Sequence, residues 1–164
     1  MEYKKDERSA ASGVTSGAAS RVISDDVMIK ELIAEALRSR ESAYAPYSGF
    51  KVGAAVLGDD GKIYGGFNIE NASYGATNCA ERTAIFTALN MGVKRIHALA
   101  VTGDPNDFTF PCGICRQVMT EFADGDMPVF IVKNKEEYMV MTLSELLPGA
   151  FTGKDLEKGE GEKE

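Results

Sequence analysis

Apolar runs of strand length alternate with amphipathic segments of helix length along most of this chain, and that alternation restricts the fold more than any other feature. Met28, Ile29, Leu32, Ile33, Ala36 and Leu37 fall on one helical face, with Ser24, Asp25 and Asp26 suited to its start. Ala45-Pro46-Tyr47-Ser48-Gly49 reads as a turn. Residues 50–57 and 63–68 read as strands joined by the hairpin signal Gly58-Asp59-Asp60-Gly61. Residues 79–91 form a predicted helix with Ala84, Ile85, Ala88 and Leu89 inward and Gly92 as its stop. Residues 96–102 are a near-continuous apolar strand. Residues 111–122 are helical in pattern, with Pro111 suited to the first turn. Two short strands follow at 128–133 and 138–142, then a last helical turn at 144–147. Strands alternating with helices predict an α/β fold, a three-layer αβα sandwich around a mixed five-stranded sheet. The first strand pair is expected to be antiparallel and the later strands parallel.

The chain has 164 residues, 44% apolar and 26% charged, which suits one ordinary domain. That domain is expected at residues 26–156. Residues 1–25 read as a flexible tail, since Ser9–Ser20 is almost entirely small or polar and buries too little to offset chain entropy. From Gly153 the composition turns to Gly, Lys and Glu and reads as a frayed end, with 157–164 a charged tail. A net charge of −7 argues against phosphate backbones and against anionic membrane surfaces as partners. No apolar run approaches the roughly 18 residues of a membrane span. The charged N-terminus lacks the apolar core of a secretory signal, so a cytoplasmic location is expected.

Three cysteines are present, Cys79, Cys112 and Cys115, an odd count that weakens a disulfide framework. Cys112-Gly113-Ile114-Cys115 alone fits a redox dithiol, half of a zinc site, or two ordinary buried thiols. Cys79 also stands at the start of a predicted helix, where partial positive charge favours a thiolate. Three thiolates on one tetrahedral zinc would leave a fourth position open, the arrangement of catalytic rather than structural sites. His97, the only histidine, lies in a predicted strand and is read as a strand or surface residue. Glu81 can lean toward such a metal and exchange protons there. Taken by itself it fits better as the third residue of a capping box, with Asn78 as the cap.

Cys79-Ala80-Glu81 followed by Pro111-Cys112-Gly113-Ile114-Cys115 is the three-cysteine form of the zinc deaminase signature. The likeness runs further, through Ala43–Ala55, through Asn68-Ile69-Glu70-Asn71-Ala72-Ser73-Tyr74, through Cys115-Arg116-Gln117-Val118-Met119 and through Leu146–Phe151. Over residues 26–156 the chain resembles the small nucleoside cytidine deaminases. That resemblance implies one zinc per subunit held by Cys79, Cys112 and Cys115, and hydrolysis of cytidine and deoxycytidine to uridine and deoxyuridine in pyrimidine salvage. It implies a zinc-bound hydroxide attacking C4 of the base, with Glu81 as the proton shuttle. Three thiolates leave the zinc site with a net negative charge, which Arg82 would offset, and Gln117 resembles a second donor to the thiolates. Ala80 would offer its backbone N–H to the base oxygen, Phe50 would line the pocket, and Ala72 falls in the same substrate block. Asn68 and Glu70 would hold the ribose, a grip suited to a free nucleoside rather than to nucleic acid. Tyr74 and Phe151 match positions that enter a neighbouring subunit's site in a homotetramer. Deamination within a polymer, another aminated nucleoside, a catalytically silent zinc module and a redox protein are the competing readings.

Overall fold

The strand Gly53–Gly58 (β1) is buried along its whole length, and the sheet is built outward from it. A computed structural model describes residues 26–157 of the chain. On one side β1 pairs antiparallel with Ile63–Phe67 (β2), and on the other antiparallel with Ile96–Thr102 (β3). Pro128–Val132 (β4) lies parallel to β3, with Leu99 beside Val129 and Thr102 beside Val132. Tyr138–Thr142 (β5) closes the order β2-β1-β3-β4-β5. The expectation of parallel later strands holds only for β3 and β4, because β5 runs antiparallel to β4. Residues 133–137 are too few for the crossover that a parallel return demands. The longer connection from β3 to β4 contains a helix and allows the parallel pairing.

Side chains of the inner strands alternate between two faces, and each face has its own core. Helix Asp26–Glu41 (α1) covers one face, with Leu32, Ile33 and Ala36 against Ala55, Leu57, Ala98, Ala100, Phe130 and Val132. Helices Ala80–Asn90 (α2) and Gly113–Phe122 (α3) belong to the other core, where Ala84, Ile85, Ala88, Cys115 and Met119 join Ala54, Val56, Leu99, Val101, Val129 and Ile131. Burial on both faces explains why β3 and β4 read as continuous apolar runs. The result is the expected three-layer αβα arrangement. A single turn, Leu143–Leu146 (α4), follows β5 and carries a Thr142–Glu145 capping box. Among the described residues no helix is long and apolar enough to cross a membrane.

Several local expectations shift. Phe50 does not begin a strand, since β1 starts at Gly53. Pro111 stands before α3 rather than in its first turn, because Cys112 is the cap. Residues 153–157, expected to fray, form a short helix (α5, Gly153–Glu157). Asp155 accepts from both the backbone N–H and the hydroxyl of Thr152 at its start. Residues 1–25 and 158–164 lie outside the described part, and so does nearly all of the two expected tails.

Gly66 sets the depth of α2 on the sheet. A Cβ there would lie 2.2 Å from the Ala84 nitrogen and 2.7 Å from the Ala80 carbonyl oxygen. Only a hydrogen side chain lets the first turns of α2 rest on β2 at that distance. Gly66→Ala is therefore expected to lose about 1–3 kcal/mol of stability by overpacking. Gly75→Ala, with nothing within 4 Å of the added carbon, is expected to stay within about 0.5 kcal/mol of wild type. Urea unfolding of both variants measures the contrast, and equal midpoints would refute it.

Candidate active site

Two helix N-termini meet at one spot on the α2–α3 side of the sheet. Cys79 caps α2 and Cys112 caps α3, both with extended backbone and neither with a side-chain capping bond. Their sulfurs are thus free of the usual capping duty. Cys115 lies in the first turn of α3 and is fully buried. The three Sγ atoms lie within 4.8 Å of one another, and Cys79 Sγ is 3.8 Å from Cys112 Sγ. Tetrahedral Zn–S bonds of about 2.3 Å separate two sulfurs by about 3.8 Å, so this spacing fits zinc. Among the described residues no other group of three such donors could hold a metal ion. His97 is exposed on β3, as expected of a surface residue.

The charge of this cluster is unevenly shared. A hydrogen bond from the Cys115 thiol, aided by Arg82 and Cys112, brings the Cys79 thiol down to about 5. Cys115 is pushed far up in turn, first by giving that bond to Cys79 and then by its burial. Arg82 Nη2 donates to Cys79 Sγ at 3.6 Å and to the Thr77 carbonyl at 3.2 Å. Its Nε is buried with no hydrogen-bond partner, a spare donor beside the sulfurs.

Glu81 is only 3% exposed in the first turn of α2. The capping-box alternative fails, because the cap is Cys79 and the Asn78 side chain instead donates to Thr83 Oγ1. Burial pushes the Glu81 carboxyl up to about 7, against opposing hydrogen bonds that include one from Cys115. Ala80, fully buried, supplies one of the N–H groups that a helix start leaves without an intrahelical partner.

The loop 68–72 lies alongside. Asn78, the residue before Cys79, exchanges two backbone hydrogen bonds with Ile69. Tyr44 pairs with the same strip through the Asn68 carbonyl and the Glu70 N–H. Asn68 is buried, accepting from the Val52 N–H and donating to the Phe50 carbonyl, both at 2.9 Å. The Ser48 hydroxyl donates to Glu70, as do the Tyr47 and Ser48 N–H groups, and these bonds hold its carboxyl below the usual range. Asn68 and Glu70 thus both grip the segment that carries Phe50. Phe50, Ala72, Tyr74 and Phe151 are exposed, with Tyr74 edge-on to Tyr47 at 6.3 Å.

Gln117 departs from the expected donation to the thiolates. Its amide donates instead to the Phe151 carbonyl at 2.7 Å and to Thr120 Oγ1 at 3.2 Å, which uses both hydrogens. The Ser48–Glu70 contact and the Arg116–Leu146 bond escape sequence reasoning. Each joins a side chain to a group more than 20 positions away, and no local pattern signals that.

A buried carboxylate beside three thiols from two helix N-termini, in an αβα fold, has the makings of a zinc hydrolase. Residues 27–131 match the family model described as the cytidine and deoxycytidylate deaminase zinc-binding region. A cytidine deaminase of Sporosarcina psychrophila is 52% identical over 128 residues, 78% of this chain and 94% of its own length. A probable cytidine deaminase of Dictyostelium discoideum is 43% identical over 78% of this chain and 86% of its own. The crystal structure of cytidine deaminase from Burkholderia pseudomallei superposes with a TM-score of 0.70 at 48% identity, over 74% of this chain and 97% of that one. The chain belongs to the cytidine deaminase family and is an enzyme, with a three-cysteine seat for one zinc ion per chain.

Cys115 is pushed up and Cys79 down, and thiols bind zinc as thiolates, so zinc uptake must release protons from the cluster. Zinc titration is expected to release about one proton or more per ion and to weaken as pH falls. Calorimetry in two buffers of different ionisation enthalpy checks this, and uptake without proton release would refute it.

Proposed function

We propose that the chain deaminates cytidine and deoxycytidine to uridine and deoxyuridine with release of ammonia, in pyrimidine nucleoside salvage. The observation that carries this reading is the buried Glu81 beside the three-thiol cluster, in a chain 52% identical to a protein named cytidine deaminase. Cys79, Cys112 and Cys115 would hold the zinc. The metal, when bound, supplies a water acidic enough to serve as the nucleophile toward C4 of the base. Glu81 would take one proton from the attacking water and pass it to N3, then take the second from the new C4 hydroxyl and give it to the departing amino group. The balance is nucleoside plus water giving the oxo nucleoside plus ammonia, with Glu81 returned to its starting state. Arg82 offsets the thiolate charge. The Ala80 N–H donates to the base oxygen, and Phe50 packs on the ring with Ala72 nearby.

Asn68 and Glu70 receive the ribose, whose hydroxyl both donates and accepts. Glu70 has the acceptor capacity to do so while it still holds Ser48. A nucleoside, rather than a base within a polymer, suits both this grip and the net charge of −7. Residues 26–156 act as the catalytic domain, in the cytoplasm. Tyr74 and Phe151, 77% and 59% exposed in the single chain, complete neighbouring sites in a homotetramer.

Glu81→Gln is expected to bind zinc and fold normally while losing about 10²–10⁴ in turnover. Ammonia release from cytidine and from deoxycytidine, with product identified and metal content measured in parallel, tests both role and substrate. A near-normal rate would remove Glu81 from the mechanism. Light scattering on the eluting enzyme should give four times the mass of one chain, and a fully active monomer would refute the shared sites.

A further inference from the structure

We propose that Arg116 is a positioning residue that couples the ligand loop at Cys112 to the C-terminal segment 146–157. Arg116 directly follows Cys115 on α3. Its Nε donates to the Pro111 carbonyl at 2.8 Å, and its Nη1 donates to the Leu146 carbonyl at 2.8 Å. The Pro111 carbonyl belongs to the peptide bond that leads into Cys112. The Leu146 carbonyl ends α4 and is one of those a helix terminus leaves without an intrahelical partner. A cation is favoured at that end.

The guanidinium is a rigid planar fork with donors in fixed directions. One fork on two carbonyls passes a displacement of either to the other. Neighbouring Gln117 adds a second hold on the same segment, through the Phe151 carbonyl at 2.7 Å. Beyond Phe151 the Thr152–Asp155 bonds continue directly into α5. Two consecutive residues of α3 therefore tie the approach to Cys112 to two points of the chain's end. Fixing Cys112 and Cys115 on zinc should steady residues 146–157, and loosening that segment at Leu146, where Arg116 holds it, should loosen the metal. This rests on the proposal that these cysteines are ligands.

The test uses the zinc-loaded full chain and three variants, Arg116→Ala, Arg116→Lys and Gln117→Ala. Zinc release into excess chelator and amide exchange over residues 147–157 are read on each. Arg116→Ala is expected to release zinc roughly 10–100-fold faster, the scale of a lost partner of a metal ligand, with faster exchange across 147–157. Gln117→Ala is expected to speed exchange from residue 151 onward and to leave zinc release within about twofold. Arg116→Lys keeps the charge without the fork, so it should be as leaky as Arg116→Ala. Full restoration by Lys would overturn the coupling. With cobalt in place of zinc, the thiolate charge-transfer bands should shift in Arg116→Ala, a change that lowered stability alone does not produce. Unshifted bands with wild-type zinc release would also overturn it. If Arg116→Ala fails to fold, Arg116→Lys is measured in its place, and wild-type zinc release from it again overturns the coupling. A wild-type chain that takes up no zinc defeats the ligand assignment, whereas zinc uptake with none of these changes defeats the coupling alone.

Discussion

Three sulfurs within 4.8 Å of one another, with Cys115 fully buried, would concentrate much negative charge as thiolates, and much of the local architecture answers that problem. Two helices begin at the cluster, so their partial positive ends face it together. Arg82 lies against Cys79 with a further N–H in reserve. A Cys115 thiol proton held toward Cys79 shares out the remaining charge. For both helix starts to converge, α2 must lie very close to the sheet. Gly66 allows that approach from a strand on the opposite side of β1 from β3.

Much of this is legible along the chain, and the exceptions share a cause. The bounds of β3 and β5 coincide with their apolar runs, β3 being buried at all but His97 and β5 half-buried at the edge of the sheet. The three cysteines and Glu81 stand out because spacing and residue type together imply a metal. The direction of β5 is missed by the strand pattern, which says nothing about orientation; the short 133–137 link decides it. Asn78 resembles a cap on local grounds, and the family resemblance implies Gln117 as a thiolate donor. Tertiary partners, Thr83 for one and the Phe151 carbonyl for the other, claim those side chains instead.

The polar strip beside the cluster has a comparable double character. By sequence, Asn68 and Glu70 are a pair of polar groups suited to a sugar. In the fold both are already engaged, Asn68 bridging the backbone of Phe50 and Val52, and Glu70 gathering Tyr47 and Ser48. In their proposed role toward the ribose, groups that already brace their own loop would meet the substrate preorganised, which lowers the ordering cost of association.

The sheet separates two cores, and only one of them touches the chemistry. Cys115 and the roots of α2 and α3 lie in the first, whereas α1 and its partners fill the second. The sheet therefore works as a firewall between two kinds of selection. Repacking beneath α1 is free to follow temperature or solvent. The α2–α3 side is bound by the geometry of three sulfurs and a carboxylate. A protein divided this way can drift in the smaller of its two cores and still keep its reaction intact.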